Sequence, residues 1–188
     1  MPELIDYSGE MNPELKMEDF SKAALVRLWQ AASKLYIGMD ALWVNLVREK
    51  LGEKTAMEWD TEIWLRRGAA EAEVSRTREA LNIWGDDVAA FLKYAQVDPG
   101  IAGVMEVECE LKSKNLGILT VKRCRPLEWC ERHGETEWQK NACEVLDAEG
   151  FPQSAHLFNP RIEVRPLKLP PRQSPDEIAC QWEFRIEE

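Results

Sequence analysis

The chain has 188 residues, 45% hydrophobic and 31% charged, a balance that suits one domain with a single core and excludes disorder over its whole length. Its 34 acidic residues against 24 basic ones give a net charge of −10, so nucleic acid is not expected as a partner. No apolar run approaches the roughly 20 residues that cross a bilayer, and the acidic start lacks a signal-peptide pattern, so a cytoplasmic protein without a membrane partner is expected.

The first twenty residues, with Pro2, Gly9 and Pro13, read as an extended arm. A helix starts near Glu18 to Ser21, because Leu25, Leu28, Trp29, Ala32, Leu35, Tyr36, Met39, Leu42, Trp43 and Leu46 recur every three or four residues. Gly52 suits its end, and a second helical stretch follows to Trp84, weakest at Arg66-Arg67-Gly68. The short joint predicts an antiparallel pair; dimerisation through the first stripe is the alternative. Asp87 predicts an N-cap for a short helix to Gln96, and Asp98-Pro99-Gly100 a break.

After the break the period changes to two. Met105, Val107, Cys109 and Leu111 alternate with acids, and Leu116 to Cys124 completes a hairpin. Short helices are predicted over Leu127–His133 and Glu135–Leu146, around Gly134, and a strand over Arg161–Leu169. The last strand is clearest: Ile178, Cys180, Trp182, Phe184 and Ile186 point to one side, and this strand is expected at the centre of the sheet. The predicted fold is therefore α+β, a long N-terminal helical pair followed by a small antiparallel sheet with short helices. Residues 1–97 would form the helical part and 98–188 the sheet part of one domain.

Phosphate-binding loops, H-E-x-x-H and G-x-S-x-G are absent, and only His133 and His156 exist. The five cysteines are expected as thiols, metal ligands or reactive groups rather than disulfides. Cys124 at a strand end, Cys143 in a helix and Cys180 facing inward can converge at one end of a sheet. Cys109 reads as a strand filler, and Cys130 as a helix residue of unknown side. Single buried cysteines are commonly small hydrophobes, but three together fit a thiolate site or a metal. A second candidate is the segment Phe158–Arg172, whose four basic residues could hold a carboxylate or simply guard an edge strand. A third is Asp40 and Asp60: a carboxylate near Tyr36, Trp43 and Trp64 can have a raised pKa and act as acid or base, or it can cap or pair. The eight tryptophans could fill a core or line a pocket.

Arg123-Cys124, Leu127-Glu128, Gly134, Cys143, Phe158-Asn159-Pro160, Arg165 to Arg172 and Cys180-Gln181-Trp182-Glu183-Phe184 resemble a family of small uncharacterised prokaryotic cytosolic proteins. Asp6-Tyr7-Ser8-Gly9 and Asp19-Phe20-Ser21-Lys22 extend the likeness over nearly the whole chain. More distantly, the order Cys124, Cys143, Cys180 with an aromatic two residues on is similar to L-2-amino-thiazoline-4-carboxylic acid hydrolase-like proteins, which open a cyclic thiazoline. Two positions depart from that pattern: Arg125 separates Cys124 from Pro126, and no glycine precedes Asp176. The layout is also similar, as a fold analogy, to vinyl-4-reductase-like ligand-binding domains.

Together these readings lead to an expected hydrolase of a small cyclic or amide-like carboxylic acid. Cys124, Cys143 or Cys180 would attack as thiolate, or the three would hold a metal that activates water. Arg123, Asn159, Arg172 and Trp182 would bind the anionic substrate. The alternative is a module in which the same cysteines bind zinc or an iron–sulfur cluster, or in which the tryptophans hold a small ligand without turnover. A third reading is a structural partner protein that uses the long helices, and a homodimer is foreseen as a partnership.

Overall fold

The computed structural model describes residues 3–187. Helix α1 spans Lys22–Leu51; the Ser21 hydroxyl caps it by accepting from the Ala24 N–H at 3.2 Å. Gly52 ends it at φ +91°, a conformation that an L side chain would strain. That turn folds α2 (Glu53–Trp64) back along α1. Arg48 of α1 pairs with Glu53 at the start of α2, while Trp64 at its end lies edge-on to Tyr36, ring centroids 5.8 Å apart. The two helices are therefore antiparallel, as the short joint predicts.

The second helical stretch is two helices. After Trp64 the chain breaks, and α3 runs Arg67–Leu81. The freed carbonyl of Leu65 accepts from Gln153 Nε2 at 3.0 Å, so tertiary contact fixes the break. Helix α4 (Val88–Ala95) is capped by Asp87, whose Oδ1 accepts from the Ala90 N–H at 2.8 Å.

The hairpin forms as β1 (Met105–Ser113) and β2 (Leu116–Cys124). Then come α5 (Arg125–His133), α6 (Thr136–Lys140), a π-helical turn at Asn141–Leu146, α7 (Asp147–His156), β3 (Glu163–Lys168) and β4 (Cys180–Arg185). The antiparallel sheet has the order β1-β2-β4-β3, which puts the last strand between two neighbours. Pro166, which cannot donate to a ladder, lies on the edge strand β3. The α+β expectation holds, with one addition: α7 went unread because Gly150 and Pro152 lie inside it.

A single core joins both parts of the chain. Leu119, Val121, Trp182 and Phe184 from the sheet pack on Val88, Phe91 and Ala95 of α4, on Phe151 and Ala155 of α7, and on Val74 of α3. The tryptophans divide differently from a simple core-filling expectation. Trp182 is buried, whereas Trp29, Trp43, Trp59, Trp84 and Trp129 are exposed.

Helix α1 meets the sheet part through the Arg48–Glu135 ion pair at 3.0 Å and through a close backbone approach at Ser33. A Cβ on Gly103 would stand 2.2 Å from the Ser33 Cβ and 2.4 Å from the Pro99 carbonyl oxygen, so only glycine lets the 98–104 turn seat against α1. No helix among the described residues is long and apolar enough to cross a membrane.

Candidate functional site

Between α1, α2, α3, the 98–104 turn and the π-helical turn lies a cavity of about 260 Å³. Apolar side chains make most of its wall, with the rings of Tyr36, Trp64, Tyr94 and Phe151 among them. Five carboxyl groups also line it: Asp40, Asp60, Glu73, Asp98 and Asp147. No Lys, Arg or His does.

Each carboxyl arrives by a different local device. Asp40 on α1 and Asp60 on α2 meet at Trp64, whose Nε1 donates to Asp40 Oδ2 at 3.2 Å. Burial raises the pKa of Asp40; burial and the neighbouring Asp40 push Asp60 up to about 7. Asp98 ends the turn after α4. Its Oδ1 accepts from the Ile101 N–H at 2.9 Å, and Tyr94 lies against it. Glu73 reaches the same spot from α3, beside Tyr36. Burial raises both, and the Asp98 carboxylate adds to the effect on Glu73. Gly100 makes room for the pair, since a Cβ there would lie 3.2 Å from Asp98 Oδ1 and 3.3 Å from Glu73 Oε1.

Asp147 comes from the far side. The π-helical turn packs more residues into a wider turn, and Ala142, Cys143, Leu146, Asp147, Gly150, Phe151 and Ser154, mostly four apart, all face the cavity. Burial pushes Asp147 up to about 7. Trp64, Tyr36 and Tyr94 stand beside Asp60, Glu73 and Asp98, and Glu73 and Asp98 interact with each other. Even so, three carboxylate oxygens in this wall, Asp60 Oδ1, Glu73 Oε1 and Asp98 Oδ2, are buried with no donor in good hydrogen-bond geometry. Buried acceptors without partners are uncommon and costly in a folded chain.

Cys124 and Cys143 line the cavity, and Cys130 of α5, whose side the sequence left open, lines it with them. Cys180 does not line it; it is buried near enough to Cys124 and Cys143 for their charges to interact, and its sulfur accepts from Trp182 Nε1 at 3.3 Å. No group of three or more His, Cys, Asp or Glu among the described residues is placed to hold a metal, so a zinc or iron–sulfur site on Cys124, Cys143 and Cys180 is not found. All five cysteines are free thiols.

Their electrostatics oppose a thiolate. Burial, with Asp147 as a further cause, pushes Cys124 and Cys180 up to about 12 and Cys143 higher still. Reactive cysteines instead sit beside cations or helix N-termini that lower the pKa. In the native protein at pH 7.5, iodoacetamide is therefore expected to label these three at least about 100-fold more slowly than a free cysteine, as read by mass spectrometry. Labelling of any one at the free-thiol rate would restore a thiolate nucleophile.

The expected substrate-binding residues are engaged elsewhere. The Arg172 side chain, 3% exposed, makes a bidentate pair with Glu131 at 2.8 and 2.7 Å; its Nη1 donates to the Pro175 and Glu177 carbonyls. Arg123 pairs with Glu128 at 2.9 Å, Arg165 with Glu183 at 3.1 Å and Lys168 with Glu177 at 2.7 Å. Three of the four basic residues of the run, Arg165, Lys168 and Arg172, are thus matched by acids and tie β3 and its following loop into the fold. Asn159 bridges the Asp86 carbonyl and the Arg161 N–H, and Trp182 packs on Phe151. The geometry brings Asp40 and Asp60 together as a carboxylate site beside tryptophan. It adds Glu73, Asp98 and Asp147, which the sequence reading missed. Glu73 offered a signal: it falls between Ala70 and Val74, the two buried residues of α3.

A family model described as a family of unknown function (DUF6125) matches residues 18–186. Comparisons with curated proteins and with solved structures find no match.

Proposed function

The chain belongs to the DUF6125 family, a family of unknown function, and we propose that it binds a small organic cation with an apolar body in the carboxylate-lined cavity. One observation carries the reading: three partnerless carboxylate oxygens face a wall that contains no base. An ammonium or amidinium group supplies N–H donors and the missing positive charge together. The faces of Trp64, Tyr36 and Tyr94 add attraction for a cation, and the apolar wall takes the body of the ligand. At about 260 Å³ the cavity falls just below the roughly 300–1,000 Å³ of drug-sized sites, so the ligand is compact.

Calorimetric titration with phenethylammonium, 2-phenylethanol and 3-phenylpropionate tests the charge requirement. At pH 8 the cation is expected to bind at least about 10-fold more tightly than the alcohol, about 1.4 kcal/mol. The carboxylate is expected not to bind. Affinity for the cation should fall as pH drops below about 7, where Asp60 takes up its proton. Binding of the anion as tightly as the cation would overturn the reading.

A second reading keeps the hydrolase expectation. Cys124, Cys130 and Cys143 share the cavity with Asp147, and a carboxyl group near pH 7 is suited to move protons. A basic 2-amino-thiazoline ring would bring the cationic head, while its carboxylate would face the adjoining groove that carries Lys34 and Arg125. Turnover of that substrate, lost in Asp147→Asn, would favour this reading; binding without turnover favours a binding protein.

A further inference from the structure

Of its thirty residues, helix α1 buries only Ser33 and Val47. Leu28, Leu35, Met39, Leu42 and Leu46 follow one another at steps of seven, four, three and four, which places them in one row along the helix. They are 51%, 68%, 64%, 65% and 46% exposed. Trp29, Tyr36 and Trp43, spaced by seven, widen the row on one side and are also exposed. Lys34 and Asp40 are the only charged residues between Leu28 and Val47, and both fall off the row.

We propose that this row is a homodimer interface, in which α1 of one chain packs antiparallel on α1 of a second copy. The inference is independent of what the cavity binds. Area is the first argument. At about 200 Å² for each large side chain, these eight residues expose roughly 800 Å². That exceeds the roughly 300–600 Å² of the largest apolar patch on a typical monomer and equals the about 800 Å² per partner of a standard stable interface.

Self-complementarity is the second. A two-fold interface must bring each residue against its symmetry mate's counterpart. A two-fold axis at position 37 sets Leu28 against Leu46, Ala32 against Leu42 and Leu35 against Met39. The row thus closes on itself with no charge buried and a small residue facing a large one. Opposed helices also oppose their dipoles.

Sedimentation velocity on the full chain at 10 µM is expected to give a particle of twice 21.7 kDa. Leu35→Glu and, separately, Leu42→Glu are expected to weaken association at least about 100-fold while leaving the far-UV spectrum unchanged, since both side chains are exposed. Direction is read by crosslinking. A mixture of Leu35→Cys and Met39→Cys chains should form the disulfide-linked heterodimer, whereas Leu35→Cys alone should not link to itself. A monomer at 10 µM would overturn the proposal, as would a dimer indifferent to both Glu variants. Monomers that co-float with phosphatidylcholine vesicles would overturn it too, and would assign the row to a lipid surface.

Discussion

Deleting the residues after Pro175 is expected to abolish folding, leaving an aggregating chain without a cooperative thermal transition. Strand β4 pairs along its whole length with β2 on one side and β3 on the other. Its loss strands β3 and opens the β2 edge, whose unpaired backbone and apolar side chains invite association. It also removes Trp182 and Phe184, 1% and 0% exposed, which together with Phe151 and Phe91 form the middle of the core. Each such aromatic is worth about 3–5 kcal/mol against alanine, while a whole domain is stable by only about 5–15 kcal/mol. Trp182→Ala alone should therefore lower stability by about 3–5 kcal/mol in urea titration. A truncated chain that stays soluble without aggregating and melts cooperatively would show that the sheet does not need its central strand.

That strand was legible before any coordinates, because period-two alternation in Cys180, Trp182, Phe184 and Ile186 states both the element and its buried face. Ser21 and Gly52 bound α1 for equally local reasons. What was hidden depends on contacts far apart in sequence. The weak stretch at Arg66-Arg67-Gly68 marks where the chain breaks, but what holds the break is Gln153, 88 residues after Leu65. Helix α1 misled in a different way. Its apolar row predicts burial, yet the fold leaves the row on the surface, since only the flank with Ser33 and Val47 meets the rest of the chain.

The site was half legible. Asp40 and Asp60 stood out beside aromatic residues, and they do meet at Trp64. Asp98 reads only as part of a break, and the sequence reading passes over Glu73 and Asp147. Their shared exposure to one cavity needs α3, the 98–104 turn and α7 to be assembled. The cysteine order suggested a site for the opposite reason: sequence gives residue types but not the field around them. Here that field comes from Asp147 and an apolar wall, which hold the thiols neutral.

The same carboxyl groups give the second large expectation, a stability that falls as pH rises. Asp60 and Asp147 stand at about 7 in the folded protein against 3.8 as ordinary side chains. Between those values the folded chain holds protons that the unfolded chain has released. The stabilisation is complete below about pH 4 and is lost as pH rises through about 7. Solvent reaching the cavity screens part of the effect, and carboxylates held low by ion pairs, such as Glu128 and Glu177, pull the other way. The net loss from pH 5 to pH 8 is expected on the order of 2–3 kcal/mol, a fall in Tm of roughly 5–10 °C by calorimetry. Asp60→Asn, which has no proton to lose, should flatten the profile and melt higher than the parent at pH 8. It should also bind phenethylammonium more weakly there, and saturating phenethylammonium should raise the parent's Tm at pH 8 more than at pH 5. A carboxylate that weakens the fold and strengthens the ligand is the signature of a site kept for binding. A flat pH profile in the parent would remove the carboxylate argument at its root. A steep profile with no cation effect would leave the buried acids as a proton reservoir and take the ligand away.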